Sequence, residues 1–273
     1  MTQSSTTEQQ YLFRATASKK GRHLAVSPEN SSMRQLYYGR IILDATLSRV
    51  TFESGSREVA LLVMKGSCTV AVNGEKIELG QFDAVYIPRG SAVEVSTTAS
   101  VDIAECAANV EGDYPLQIVR YADVEKDPKL KFPTGSDTTR RTINILIGNN
   151  VKAGRVLAGF TRSLPGNWTS WPPHEHSAML EELYVFFDMP PPAYGVQFVY
   201  TNRETPEFVG MVTDGDAVLV PKGYHPNVAI PGHTINFIWM MAAQREGDDR
   251  QFGVVNVEPE FGKVQSGLEA SRK

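Results

Sequence analysis

Three of the five histidines in this 273-residue chain stand where a metal ion would need them. The run Trp171-Pro172-Pro173-His174-Glu175-His176 leads into Glu182-Leu183-Tyr184-Val185-Phe186-Phe187, an apolar, aromatic stretch that reads as a β-strand. Side chains alternate faces in an extended chain, so His174 and His176 point the same way and Glu175 the other. Two imidazoles on one face make a pincer. On the next strand Glu182, Tyr184 and Phe186 share a face, and a carboxylate turned to an apolar interior demands a partner. A third imidazole, His225, follows the strand-and-turn run Ala217-Val218-Leu219-Val220-Pro221-Lys222-Gly223-Tyr224. Three imidazoles and a carboxylate suit one divalent ion, and these ligand types do not by themselves choose among zinc, manganese, iron, nickel and cobalt; zinc is the first expectation. A single histidine would more simply cap a core strand, but three at such positions favour the metal.

These residues need a rigid scaffold, and the chain supplies many short β-favouring runs separated by turn signals, with little helical periodicity. The Asn73-Gly74 pair between two alternating runs predicts a tight hairpin, since both residues tolerate positive φ. Residues 80–92 repeat the pattern of residues 215–225: Pro88-Arg89-Gly90-Ser91-Ala92 corresponds to Pro221-Lys222-Gly223-Tyr224-His225, with alanine where the histidine stands. No His-x-His precedes the first copy's strand at Glu58. The expected fold is therefore all-β, with two jelly-roll β-barrels in tandem. Residues 1–36 form a polar N-terminal arm, 37–135 a degenerate metal-free barrel and 136–273 a metal-binding barrel.

A net charge of −4 with scattered cations argues against nucleic acid and anionic membrane as partners. No apolar span is long enough to cross a bilayer and residues 1–10 lack the features of a signal peptide, so a cytoplasmic protein is expected. Cys68 and Cys106, both in apolar strand contexts, read as reduced core thiols. Exposed jelly-roll strands often pair between subunits, which makes a homo-oligomer the expected assembly.

The His-x-His run, the carboxylate opening the next strand and the histidine after a Pro-x-Gly turn resemble the paired signatures of the cupin superfamily. That resemblance implies a bicupin with His174, His176, Glu182 and His225 as ligands, and it favours Glu182 over its neighbour Glu181. Within the superfamily, Arg140-Arg141-Thr142-Ile143-Asn144, residues 165–176, residues 182–187 and residues 215–226 resemble the uronate isomerase family, over most of the chain. That family unites 5-deoxy-glucuronate isomerase of inositol catabolism with 5-keto-4-deoxyuronate isomerase of pectin breakdown. Residues 166–174 and 220–226 are similar to the inositol branch, whereas residues 140–144 and Phe237-Ile238-Trp239 are more similar to the pectin branch. The first substrate implied is 5-deoxy-glucuronate, the alternative 5-keto-4-deoxyuronate.

A metal with open positions can grip a carbonyl and its neighbouring hydroxyl and acidify the proton between them, so an aldose and a ketose interconvert through an enediolate. Candidate bases are Tyr184, Tyr200, Lys222 and Tyr224, with Glu175 or Glu181 available if local geometry breaks alternation. A sugar-acid substrate calls for an arginine fork, for which Arg141 and Arg162 are the candidates. The same ligand set also serves a cupin dioxygenase or a non-catalytic sugar-binding cupin.

Overall fold

The structure, a computed structural model, describes residues 10–264 together with Gly267, Leu268 and Ser271. In its N-terminal half a six-stranded sheet runs in the spatial order Gln117–Val119, Ala84–Ile87, Arg57–Gly66, Ser100–Asn109, Leu36–Asp44, Gly21–Val26. It faces a four-stranded sheet of Arg49–Glu53, Ala92–Ser96, Cys68–Val72 and Glu75–Leu79. Ile41, Leu61, Val63, Val70, Val85, Val95 and Ile103 pack in the space between them. The Asn73-Gly74 turn closes its hairpin at positive φ, 50° and 89°, and the flanking residues Val72 and Glu75 pair.

The C-terminal half repeats this plan. Its larger sheet has seven strands in the order Leu12–Phe13, Ala217–Val220, Leu180–Phe186, Asn236–Ala243, Val156–Ser163, Arg141–Ile147, Lys131–Thr134. The smaller has four: Trp168–Thr169, Asn227–Ala229, Gly195–Val199 and Phe208–Val212. A short ladder of His174–Glu175 with Asn256–Val257 lies beside them.

The two large sheets pack face to face. Leu36, Tyr38, Leu62 and Tyr86 from one half meet Leu146, Phe160, Leu183, Val185 and Leu219 from the other in one cluster. Each such fully buried side chain contributes roughly 1.5–3 kcal/mol. Alternate residues of the same strands, Tyr184, Phe186, Val218, Val220 and Trp239, face the interior of the C-terminal barrel. All seven residues of Leu180–Phe186 are therefore buried, as in sheets covered on both sides. Cys68 lines one core and Cys106 the interface; both are buried and free.

Two boundaries differ from the sequence expectation. Within the segment read as an arm, Leu12–Phe13 is an edge strand of the C-terminal sheet, paired to Val218 and Ala217, and Gly21–Val26 is an edge strand of the N-terminal sheet, paired to Leu36–Asp44. A two-residue strand is too short to show periodicity, and an edge strand tolerates polar side chains. Residues 1–9 of that segment lie outside the described residues. A division near residue 135 would cut the hairpin in which Lys131–Thr134 pairs with Arg141–Ile147, so the crossing between halves comes before Lys131. Among the described residues no helix is long and apolar enough to cross a membrane.

Candidate metal centre

His174 is fixed by its pairing with Val257, and Glu175 turns outward to accept hydrogen bonds from Ser177 and Asn256. The His176 carbonyl accepts the N–H groups of Met179 and Leu180, a tight reversal that feeds Leu180–Phe186 back past the histidines. His225 arrives after Gly223, whose φ of 94° is open to glycine. A Cβ there would also fall 2.6 Å from the Tyr200 carbonyl oxygen.

Each histidine Nδ1 faces a backbone carbonyl: His174 that of Pro172 at 2.8 Å, His176 that of Leu180 at 3.2 Å, His225 that of Gly223 at 2.8 Å. Donation from Nδ1 leaves each Nε2 as a lone pair, the tautomer in which metal-binding histidines are commonly held. One oxygen of Glu182 lies 3.0 Å from His176 Nε2 and 3.1 Å from His225 Nε2. Despite that distance, the buried His225 Nε2 makes no hydrogen bond. Donor atoms of His176, Glu182 and His225 all fall within 4.8 Å of one another, and the His174 ring stands 5.0 Å from that of His225. Lone pairs converging on a carboxylate in a dry interior call for a cation, and this nitrogen and oxygen donor set fits a divalent metal.

The electrostatics point the same way. Burial, reinforced by His225, pushes the His174 imidazole down to about 3. Burial opposes ionisation of Glu182, but the contacts of its carboxylate with the His176 and His225 imidazoles override it and hold the carboxyl at about 2. Burial would also lower His176, yet the Glu182 contact raises it. A cation bound among these groups would sit against the ionised Glu182 carboxylate.

Beside these groups is a cavity of about 50 Å³ whose lining includes Arg141, Ser170, His174, Glu182, Tyr184 and Trp239. Arg141, 5% exposed, donates to the Thr139 and Trp171 carbonyls at 2.8 and 2.7 Å. The Tyr184 and Ser170 hydroxyls lie 2.7 Å apart, and burial drives the Tyr184 phenol well above its ordinary value, so it stays protonated.

Five other sequence candidates stand elsewhere. Tyr200 donates to Glu258 at 2.8 Å and its ring lies 5.5 Å from that of Tyr224, in an outer aromatic region. Tyr224 alternates away from His225, and Lys222 is exposed. Arg162 follows Thr161, which lines the cavity, and so points oppositely; it pairs with Asp188 at 2.7 Å and lies over the Phe187 ring. Glu181 faces the N-terminal half.

Sequence reasoning passed over Ser170, although it sits in the motif run; its φ of 48° is visible only in three dimensions. It also passed over the buried network behind His225. There Thr169 Oγ1 meets Asn227 Oδ1, Asn227 donates to Gln197 at 2.9 Å, and Gln197 donates to the His225 carbonyl at 2.9 Å. Gln197→Leu is expected to cost about 1–3 kcal/mol for each buried group left unpaired. Urea unfolding measures this; a loss below about 0.5 kcal/mol, the size of an ordinary surface effect, would show the network to be dispensable.

A model of the KduI/IolB family matches residues 11–258. A 5-deoxy-glucuronate isomerase from Geobacillus thermodenitrificans is 28% identical over 243 residues, covering 82% of this chain and 86% of that one. The crystal structure of an IolB-like protein from Salmonella typhimurium superposes with a TM-score of 0.81 at 24% identity, covering 92% of this chain and 97% of that one. A deletion mutant of Bacillus subtilis oxalate decarboxylase superposes with a TM-score of 0.64 at 12% identity, over 96% of this chain and 85% of that one. The fold is thus an all-β bicupin, two jelly-roll barrels in tandem. With a family match reaching through both barrels, the chain belongs to the KduI/IolB family.

Proposed function

We propose that this chain is a metal-dependent aldose–ketose isomerase acting on a deoxy-uronate, with 5-deoxy-glucuronate as the substrate. The observation that carries the reading is the Glu182 carboxylate, buried and 3.0 and 3.1 Å from two imidazole nitrogens, beside a cavity lined by an arginine. The relatives named 5-deoxy-glucuronate isomerase support the choice of substrate.

His174, His176, Glu182 and His225 would hold the ion. When bound, a divalent ion supplies Lewis acidity toward a carbonyl and the hydroxyl next to it. Arg141 receives the substrate carboxylate, its guanidinium already oriented by the Thr139 and Trp171 carbonyls. Tyr184, protonated and paired with Ser170, presents a hydroxyl donor to the sugar oxygens. Phe237 and Trp239 keep this end of the cavity dry. A cavity of about 50 Å³ has room for only a few waters, and Phe252 and Leu268 form part of its wall.

The test is an NMR assay of purified protein against 5-deoxy-glucuronate and 5-keto-4-deoxyuronate, with and without chelator. Conversion of the first alone, lost on chelation and restored by a divalent ion, is the expected result. Conversion of the second alone moves the substrate to the other deoxy-uronate. Chelator-resistant turnover, or oxygen consumption with a phenol in place of isomerisation, would overturn the proposal.

A further inference from the structure

Glu181 and Glu182 are adjacent on one strand and project to opposite faces. Glu182 enters the barrel. Glu181, 1% exposed, crosses to the N-terminal half, where its carboxylate accepts the backbone N–H groups of Arg34 at 2.9 Å, Gln35 at 2.6 Å and Leu36 at 2.6 Å. Three successive N–H groups on one carboxylate make an anion nest with charge-assisted hydrogen bonds. The same clasp occurs in reverse. Glu58, 0% exposed, opens the corresponding strand of the N-terminal half and accepts the N–H groups of Gly154 at 2.8 Å, Arg155 at 2.6 Å and Val156 at 2.7 Å.

The two clasps differ in what stands next to them. The residue after Glu58 is Val59, in the apolar core of the N-terminal barrel; the residue after Glu181 is Glu182. On the other side of Glu181 is Leu180, whose carbonyl faces His176 Nδ1 at 3.2 Å. One anchored residue therefore sets the backbone from which a carboxylate projects and the acceptor that orients an imidazole.

From this we infer that Glu181 is a positioning residue for the metal centre, and that the N-terminal half, through the nest at residues 34–36, completes a site whose ligands all lie in the other half. The inference rests on the metal reading above. Metal ligands hold their ion only when the shell behind them fixes their direction, and losing such support typically weakens affinity about 10–100-fold.

The full chain and its Glu181→Gln and Glu58→Gln variants are compared by Zn²⁺ titration against a chromophoric chelator, and by urea unfolding of the metal-stripped proteins. Both variants are expected to unfold at lower urea, since each loses a clasp. Only Glu181→Gln is expected to lose Zn²⁺ affinity, by about 10–100-fold, while Glu58→Gln keeps it. Unchanged affinity in Glu181→Gln, or an equal loss in both, overturns the inference and leaves the metal reading intact. Failure of the unsubstituted chain to bind Zn²⁺ or another divalent ion overturns both, and is distinguished because no variant is involved. If Glu181→Gln does not fold, Glu181→Asp, which keeps the charge but withdraws it from the nest, is read by the same criteria.

Discussion

Replacing His176 with alanine is expected to abolish metal binding and turnover together. His176 lies nearest the Glu182 carboxylate, at 3.0 Å, and its contact is the strongest influence holding that buried group ionised. Without it, burial acts with less opposition and the carboxyl rises toward its ordinary value. The site loses one donor outright and the neighbour that steadies a second. A Lewis acid supplies several kcal/mol of the barrier, so turnover should fall by at least about 10³-fold. Metal content of the dialysed protein and its isomerase rate are the measurements, with circular dichroism as the control for folding. Undiminished isomerisation by a variant shown to be free of metal would end the metal mechanism.

Arg141→Ala carries the second large effect, of a different kind. The metal site should stay loaded, because Arg141 is not among the proposed ligands. What is lost is the fork for the substrate carboxylate, at about 1.5–3 kcal/mol per charge-assisted hydrogen bond. Two such bonds correspond to a fall in kcat/KM of about 10²–10³-fold or more, most of it in KM. Arg141→Lys should recover little, since an ammonium restores charge without the planar fork. An unchanged KM in an Arg141→Ala variant with full metal content would reduce Arg141 to a tie between the Thr139 and Trp171 carbonyls.

The two effects separate because the site has two ends, one legible from local pattern and one not. His174 and His176 are two residues apart in extended chain, a spacing whose consequence is local; so is the turn that delivers His225. Arg141 and Arg162 were indistinguishable as candidates. They lie 21 positions apart by their numbering, on paired strands where Arg141 faces Ser163 and Thr142 faces Arg162, and pairing with Thr142 is what puts Arg162 on the opposite face. Likewise Tyr184, Tyr200 and Tyr224 all stand near motif residues in sequence. Only Tyr184 lines the cavity.

The amino-acid sequence by itself determined that two strand-rich repeats exist, that the first lacks the histidines of the second, and that His176, Glu182 and His225 are of types suited to a metal. Those features depend on residue type and on alternation within single strands. Only the tertiary structure decided that Glu181 reaches the nest at residues 34–36, that Leu12–Phe13 belongs to the distant barrel's sheet, and that Ser170 meets Tyr184. Leu180–Phe186 is buried on both faces, so its apolar pattern carries no sign of which side is cavity and which is interface. That choice is made by what packs against each face: on the interface side, residues more than a hundred positions away such as Arg34, Gln35 and Leu36.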